Sequence, residues 1–221
     1  MRAYAAQVGS VKTLIASESG LRNDEVAGLF ERCHADRRVV FSDRVFERVS
    51  PVAHPVGLLA LIAIPVDNPD PAPWPDGVLI DAIQDAGNVG SILRSAAAAG
   101  IARVATGEGS ADVWSPKVLR AGMGAHFNLT LHAGQALTAI ARMATGNVIV
   151  ASGDAGASIY DLDLRSPSIW IFGAEGQGVS SELRAIAAVE ARIPMAPGAE
   201  SLNVAAAAAI CLFEQARQRR G

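Results

Sequence analysis

Three stretches of this chain set polar side chains and bare backbone where an apolar run hands over to a helical pattern. The first is Asn88-Val89-Gly90-Ser91-Ile92-Leu93-Arg94, which follows the apolar run Val78–Ile83. The second is Gly173-Ala174-Glu175-Gly176-Gln177-Gly178, which follows Ile169–Phe172. The third runs from Ile193-Pro194-Met195 through Pro197-Gly198 to Ser201-Leu202-Asn203-Val204. In open α/β sheets such strand-to-helix junctions are where ligands bind, in the crevice at the carboxyl ends of the strands.

The side chains at these junctions suit binding and positioning more than covalent or metal chemistry. Arg94 lies between one and two turns into its helix, and this segment alone reads as a capped helix with a surface arginine, a poor proton acceptor because its pKa exceeds ~12. Gly87 and Gly90 permit a tight turn and Asn88 is suited to cap the helix. Glu175, set among three glycines, can position a ligand amine or hydroxyl. The glycines fall at relative positions 0, 3 and 5, not the 0, 2 and 5 of a dinucleotide fingerprint, and no Lys-Ser or Lys-Thr follows as a phosphate loop requires. Amides at a helix start point outward unsatisfied. Ser201 and Asn203 add side-chain hydrogen bonding there, against the plainer alternative that Ser201 is only an N-cap.

Other constellations are absent from the sequence. It has no HExxH, no G-x-S-x-G and no acidic metal cluster. Asp161 and Asp163 read as solvated loop residues, and His34, His54, His126 and His132 are scattered and structural. Cys33 and Cys211 have no CxxC or Cys/His ligand spacing, which points to reduced thiols in a cytoplasmic protein without a metal site.

The elements that must carry the junctions follow from periodicity. Prolines at 65, 69, 71, 73 and 75 mark residues 65–76 as a semi-rigid linker. Residues 1–64 before it form a small unit, with strands at 12–16, 38–41 and 56–64, the last one buried. Between them, Val26, Leu29, Phe30 and Cys33 share one helix face, and Ser42 caps a helix carrying Val45, Phe46 and Val49. Residues 77–221 alternate strands (78–83, 102–105, 127–131, 148–151, 169–172, 188–193) with helices (89–99, 116–121, 136–143, 181–186, 202–217). That alternation implies a parallel sheet covered on both faces. The most apolar stretch, Val204 to Phe213, is about half the ~20 residues of a membrane span. It reads as a buried core helix. No secretory signal opens the sequence. Net charge is −3, which argues against a generic polyanion binder. The basic residues other than Lys12 and Lys117 are arginines, the better type for bidentate phosphate contacts.

In this order and at these separations, the three junctions resemble the signature of the SpoU-type (TrmH-like) 2′-O-ribose RNA methyltransferases of the SPOUT superfamily. The third is the most specific, running Ile-Pro-Met…Glu-Ser-Leu-Asn-Val-Ala…Ile-Cys-Leu-Phe-Glu. One departure is that Pro197 stands where the family has its glycine, with Gly198 after it. Ser115-Pro116-Lys117…Arg120-Ala-Gly122-Met-Gly124-Ala125 and His54-Pro-Val-Gly-Leu-Leu-Ala60 extend the likeness, with Gly122 and Val56 departing from the family's usual serine and glutamine. The likeness is strong from Val78 to Glu214 and diffuse before that. Relatives usually carry one further basic element ahead of where this sequence begins.

The resemblance implies an α/β fold with a parallel-sheet C-terminal domain tied in a deep trefoil knot, a rare exception to topology rules. It also implies a small N-terminal α/β domain for RNA recognition. The implied activity is methyl transfer from S-adenosylmethionine to a ribose 2′-hydroxyl of rRNA or tRNA. Arg94, Asn88, Glu175, Ser201 and Asn203 would be the catalytic set. Thr106, Gly107, Gly173, Gly176, Gly178, Ile193, Met195, Ser201, Leu202 and Asn203 would hold the cofactor. Arg37, Arg38, Arg44 and Arg48, with Arg94, would contact RNA, against the alternative that the first four are a solvated face. A homodimer through the knotted domain is expected, with Leu202, Val204, Ile210, Leu212 and Phe213 as surplus apolar surface on the last helix. The competing readings are a non-catalytic RNA-binding or assembly protein on the same fold, a base-methylating SPOUT relative and a conventional dinucleotide-fold enzyme.

Overall fold

The computed structural model describes residues 11–65 and 73–220. It divides into two compact units, Met1–Val66 and Asp67–Gly221.

The N-terminal unit runs β1 (Val11–Ser17), α1 (Asp24–Arg32), β2 (Ala35–Phe41), α2 (Asp43–Val49) and β3 (Leu58–Leu61). Its sheet has the order β2-β1-β3, with β2 parallel and β3 antiparallel to β1. Val11, Leu14 and Ala16 of the central strand are buried with Val26 and Phe46. Asn23 caps α1, its side-chain oxygen accepting from the amides of Glu25 and Val26. Ser42 precedes α2 but makes no capping bond. The strand expected over 56–64 shrinks to four half-buried or exposed residues, because β3 pairs only with β1 and is an edge; Leu61 is 62% exposed.

The C-terminal unit runs β4 (Gly77–Asp81), α3 (Ala86–Ala99), β5 (Arg103–Thr106), α4 (Pro116–Gly122), β6 (Thr130–His132), α5 (Leu137–Arg142), β7 (Asn147–Ala151), β8 (Ala157–Ser158), β9 (Ser168–Gly173), α6 (Ser181–Arg184), β10 (Val189–Arg192) and α7 (Val204–Arg220). Its seven strands pair in the order β6-β5-β4-β9-β7-β10-β8, every pair parallel. A parallel sheet is buried on both faces and reads as continuous apolar runs. Here Ile80, Trp170 and Phe172 pack with Ile92, Leu93 and Leu212. Their neighbours Leu79, Ile169 and Ile171 point the other way onto Leu137, Ile140 and Leu183. The strand expected at 127–131 is displaced: a 3-10 turn occupies Ala125–Phe127 and β6 starts at Thr130.

The proposed linker is shorter at its C-terminal end than its prolines suggested. Pro69 and Pro71 lie outside the described residues, whereas Trp74 is buried and its backbone bonds to Met143 and Thr145. Asp76 accepts from the Ser168 amide at 2.8 Å and from Arg219 Nη2 at 2.7 Å, and Gln215 Nε2 donates to it at 3.3 Å. Gln215 in turn accepts from the indole of Trp170, so the far end of α7 is pinned to the amino edge of the sheet. Among the described residues no helix is long and apolar enough to cross a membrane.

Candidate functional site

The carboxyl ends of β4 and β9 lie side by side, Asp81 opposite Gly173. From β4 the chain turns through Ala82, whose φ of 54° is unusual for a residue with a side chain, into α3. The cap of α3 is Asp85 rather than Asn88: its Oδ1 accepts from the Asn88 amide at 2.7 Å. That leaves the Asn88 side chain free for longer-range contacts. Gly90 is not a turn residue either. It lies inside α3, and a Cβ built there would stand 2.4 Å from Ala121 Cβ and 2.8 Å from the Val118 carbonyl oxygen. The missing side chain is what lets α4 pack against α3.

From β9 the glycine-rich turn closes on itself, the Gly178 amide donating to Ala174 O at 2.8 Å. A Cβ on Gly173 would fall 2.2 Å from the Gly178 carbonyl, so only glycine fits. The turn is held to β4 where Asp81 accepts from the Ser180 amide at 2.8 Å. After β10, Pro197 and Gly198 occupy a turn closed by the Ala199 amide on Ala196 O, with Gly198 at φ 88°. That pairing is the sequence preference of a type II turn, and it accommodates the shifted glycine.

These junctions bring together three residues distant in sequence. Asn88 Nδ2 donates to Glu175 Oε1 at 3.0 Å, and Asn203 Nδ2 donates both to Glu175 Oε1 at 3.0 Å and to Asn88 Oδ1 at 2.9 Å. Asn203 also caps α7, its Oδ1 accepting from the amides of Ala205 and Ala206. Asn203, not Ser201, is therefore the N-cap, so the plainer alternative for Ser201 does not hold. Ser201 is exposed and faces the neighbouring cavity instead.

That cavity has a volume of about 330 Å³. Of the expected cofactor residues, Gly173, Gly176, Gly178, Ile193, Met195, Ser201 and Leu202 line it. Asn203 does not line it but anchors its edge through the triangle. Thr106 and Gly107 are not brought to it. They end β5, on the far side of β4 from β9, where the Gly107 amide donates to Ile80 O and a Cβ would meet Leu137 Cδ1 at 2.9 Å. The carboxyl end of β7 takes that place, contributing Ala151, Ser152, Gly153 and Asp154. Those residues, with Arg184 and Glu200, escaped the sequence reading. The signal that would have found them is strand order, since β7 neighbours β9.

Arg94 is exposed, does not line the cavity, and among the described residues has no hydrogen-bond partner. At 100° per residue it points about 120° around α3 from Asn88. In the N-terminal unit Arg37, Arg44 and Arg48 are exposed. Arg38 is engaged: Nε donates to Phe30 O at 2.9 Å, and Nη2 to Cys33 O at 2.8 Å and Glu31 O at 3.2 Å. It covers the carbonyl end of α1 while the residue itself stays exposed. Burial pushes the Cys211 thiol up to about 12, so it is an inert core residue. Among the described residues no group of three or more His, Cys, Asp or Glu is clustered as metal ligands would be.

Comparison with known proteins places this arrangement. Residues 77–213 match the model of the SpoU rRNA Methylase family. The chain is 35% identical over 176 residues to a 23S rRNA (uridine(2479)-2′-O)-methyltransferase of Streptomyces viridochromogenes, covering 75% of this chain and 61% of that one. It is 30% identical over 203 residues to a 23S rRNA (guanosine(2553)-2′-O)-methyltransferase of Bacillus subtilis, covering 90% and 78%. The chain thus spans less than two thirds of the Streptomyces relative's length. The crystal structure of a SpoU methyltransferase from S. viridochromogenes in complex with the cofactor AdoMet superposes with a TM-score of 0.88 at 25% identity, covering 100% of this chain and 87% of that one. With its seven-stranded parallel sheet and its three junctions at the ends of β4, β9 and β10, the chain belongs to the SpoU methylase family.

Proposed function

We infer that the protein transfers a methyl group from S-adenosylmethionine to a ribose 2′-hydroxyl of rRNA or tRNA. The observation that carries this reading is the Asn88–Glu175–Asn203 triangle at the lip of the cavity. The cavity suits the cofactor. Its volume of about 330 Å³ lies within the ~300–1,000 Å³ of small-molecule sites. Ile193, Met195 and Leu202 offer apolar surface for a purine ring, the glycine-rich turn offers bare backbone, and Asp154, Glu175 and Glu200 complement a cation.

S-adenosylmethionine supplies a methyl already activated on a sulfonium sulfur, which leaves as a neutral thioether. The work left to the chain is alignment, which can supply ~7–11 kcal/mol. Asn88 and Asn203 fix the Glu175 carboxylate at the cavity lip, where it orients the ribose, and Ser201 offers a further hydroxyl contact. Arg94 grips the phosphate beside the reacting ribose and stabilises the 2′-oxygen as its proton leaves. The proton passes to solvent, and the high pKa of a guanidinium favours this electrostatic role over that of a base.

Arg94 stands apart from the triangle, which supports a site completed across a homodimer. On α7, Val204 and Leu212 are buried within the chain and Ile210 is half-buried, while Phe213 stays 47% exposed and Leu202 40%. The surplus apolar surface is therefore smaller than the sequence suggested, with Phe213 its centre. A knotted C-terminal segment is supported by β9 entering between β4 and β7 and by α7 packing back on α3. RNA recognition by the N-terminal unit, through Arg37, Arg38, Arg44 and Arg48, and a cytoplasmic location complete the reading.

The test is to incubate the protein with RNA and methyl-labelled S-adenosylmethionine, digest the product to nucleosides, and locate the label. Label on ribose is expected. Label on a base would identify a base-methylating enzyme, and cofactor and RNA binding without any transfer would identify a non-catalytic relative.

A further inference from the structure

Arg184 ends α6 and is half-buried, with 35% of its side chain exposed. Its guanidinium is divided among three segments. Nε donates to the Val179 carbonyl oxygen at 3.1 Å, Nη1 meets Glu190 Oε2 at 2.5 Å, and Nη2 donates to Ser152 Oγ at 3.3 Å. Val179 leaves the glycine-rich turn, Ser152 follows β7 and Glu190 belongs to β10. These segments wall the cavity, and Arg184 lines it too. A Cβ built on Gly178 would stand 3.4 Å from Arg184 Nη2, so the guanidinium lies directly behind the turn.

Loops around a ligand come from the less stable parts of a fold, and ordering them only on binding weakens affinity. A planar guanidinium presents its donors in a rigid fork, whereas an ammonium is a point charge on a flexible stem. The three bonds of Arg184 diverge from one plane to three chain segments, a task the fork performs and a lysine does not.

We propose that Arg184 is a positioning residue for the cofactor. Its guanidinium locks the end of β7, the glycine-rich turn and β10 into one preformed cavity, and so sets cofactor affinity rather than the rate of methyl transfer. The assignment rests on the reading that this cavity takes S-adenosylmethionine.

The test titrates S-adenosylmethionine into the full chain and its variants by calorimetry, then measures methyl transfer to RNA across cofactor concentrations. Arg184→Leu is expected to weaken cofactor binding about tenfold, the equivalent of about one net hydrogen bond, and to raise the cofactor KM in step. Its kcat at saturating cofactor should stay within about twofold of the parent, because the reacting groups are untouched. Glu190→Gln keeps an acceptor without the charge and should lose less. Arg184→Lys keeps the ion pair without the fork and should fall between Leu and the parent. If Arg184→Leu does not fold, the Lys and Gln variants carry the test, and a Lys variant with parental affinity overturns the assignment. So does a loss of kcat that saturating cofactor does not restore. Absence of cofactor binding by the parent chain would overturn the reading of the cavity itself. Binding by the parent matched by Arg184→Leu would overturn only the role of Arg184.

Discussion

Asn203 joins Glu175 through its amide nitrogen, at 3.0 Å, while its carbonyl oxygen holds the first free amides of α7. The residue is thus both the cap of the last helix and the partner of the carboxylate on the glycine-rich turn. Neither duty is separable by deletion, but they separate by substitution.

Asn203→Ala should lose both, costing about 1 kcal/mol of stability as N-cap removals do, and should abolish transfer. Asn203→Asp keeps a capping oxygen but sets a second carboxylate against Glu175. Thermal unfolding should place it closer to the parent than the Ala variant, while the methylation rate stays low. Recovery of the rate in the Asp variant would show that the bond to Glu175 is not used.

Arg94→Ala should abolish methyl transfer and leave cofactor affinity within a few-fold, because Arg94 does not line the cavity. Calorimetry with S-adenosylmethionine and a single-turnover assay together check this. A near-parental rate would remove Arg94 from the mechanism.

Gly90→Ala should force α3 and α4 apart, since the added methyl meets Ala121 Cβ at 2.4 Å. Overpacking of this kind costs about 1–3 kcal/mol. Chemical denaturation should show that loss, and activity should fall with it because Asn88 and Arg94 ride on the same helix.

His126 gives stability a pH dependence. Burial lowers its pKa in the folded state below the ordinary 6.5, opposed by its 2.7 Å hydrogen bond to the Val113 carbonyl. Below pH 6.5 the unfolded chain takes up a proton there that the folded chain refuses, so this contribution to stability is lost as pH falls from that value. Unfolding midpoints of the parent and His126→Gln, compared from neutral pH downward, should converge or cross. Parallel curves would show that His126 does not titrate on unfolding.

The arginines of the N-terminal unit should divide into two classes. Replacing Arg37, Arg44 and Arg48 together with alanine should weaken RNA binding and flatten its salt dependence without altering stability. Arg38→Ala should instead destabilise the unit by about 1 kcal/mol, since its bonds to Phe30 and Cys33 carbonyls are lost. RNA affinity unchanged in the triple variant at low salt would move the recognition surface elsewhere.

Periodicity and turn residues made most elements legible, because the unbroken apolar runs Val78–Ile80 and Ile169–Phe172 and the turns after them are written directly in the chain. What they could not reveal was adjacency. Ser152 and Asp154 look like an unremarkable loop until β7 is known to lie beside β9, and Thr106 looks equally eligible until β5 is known to lie beyond β4. Side-chain destinations were hidden for the same reason. Asn88 reads as a cap, yet Asp85 takes that duty and Asn88 reaches Glu175, 87 residues away. Arg38 reads like its neighbour Arg37 until the end of α1 is placed against it.

The pinned end of α7 carries a consequence for how the fold closes. The helix spans about 25 Å at 1.5 Å per residue, from Asn203 at one edge of the sheet to Arg219 at the other, where Asp76 waits 143 residues earlier in sequence. Asp76 leads into β4, β4 into α3, and α3 carries Asn88, which meets Asn203 again. The polypeptide thereby closes a ring of contacts whose final link is α7. Until that link is in place, Asn88 and Glu175 lack their common partner. The turns that line the cavity are therefore tied to one another only once α7 has docked at both of its ends.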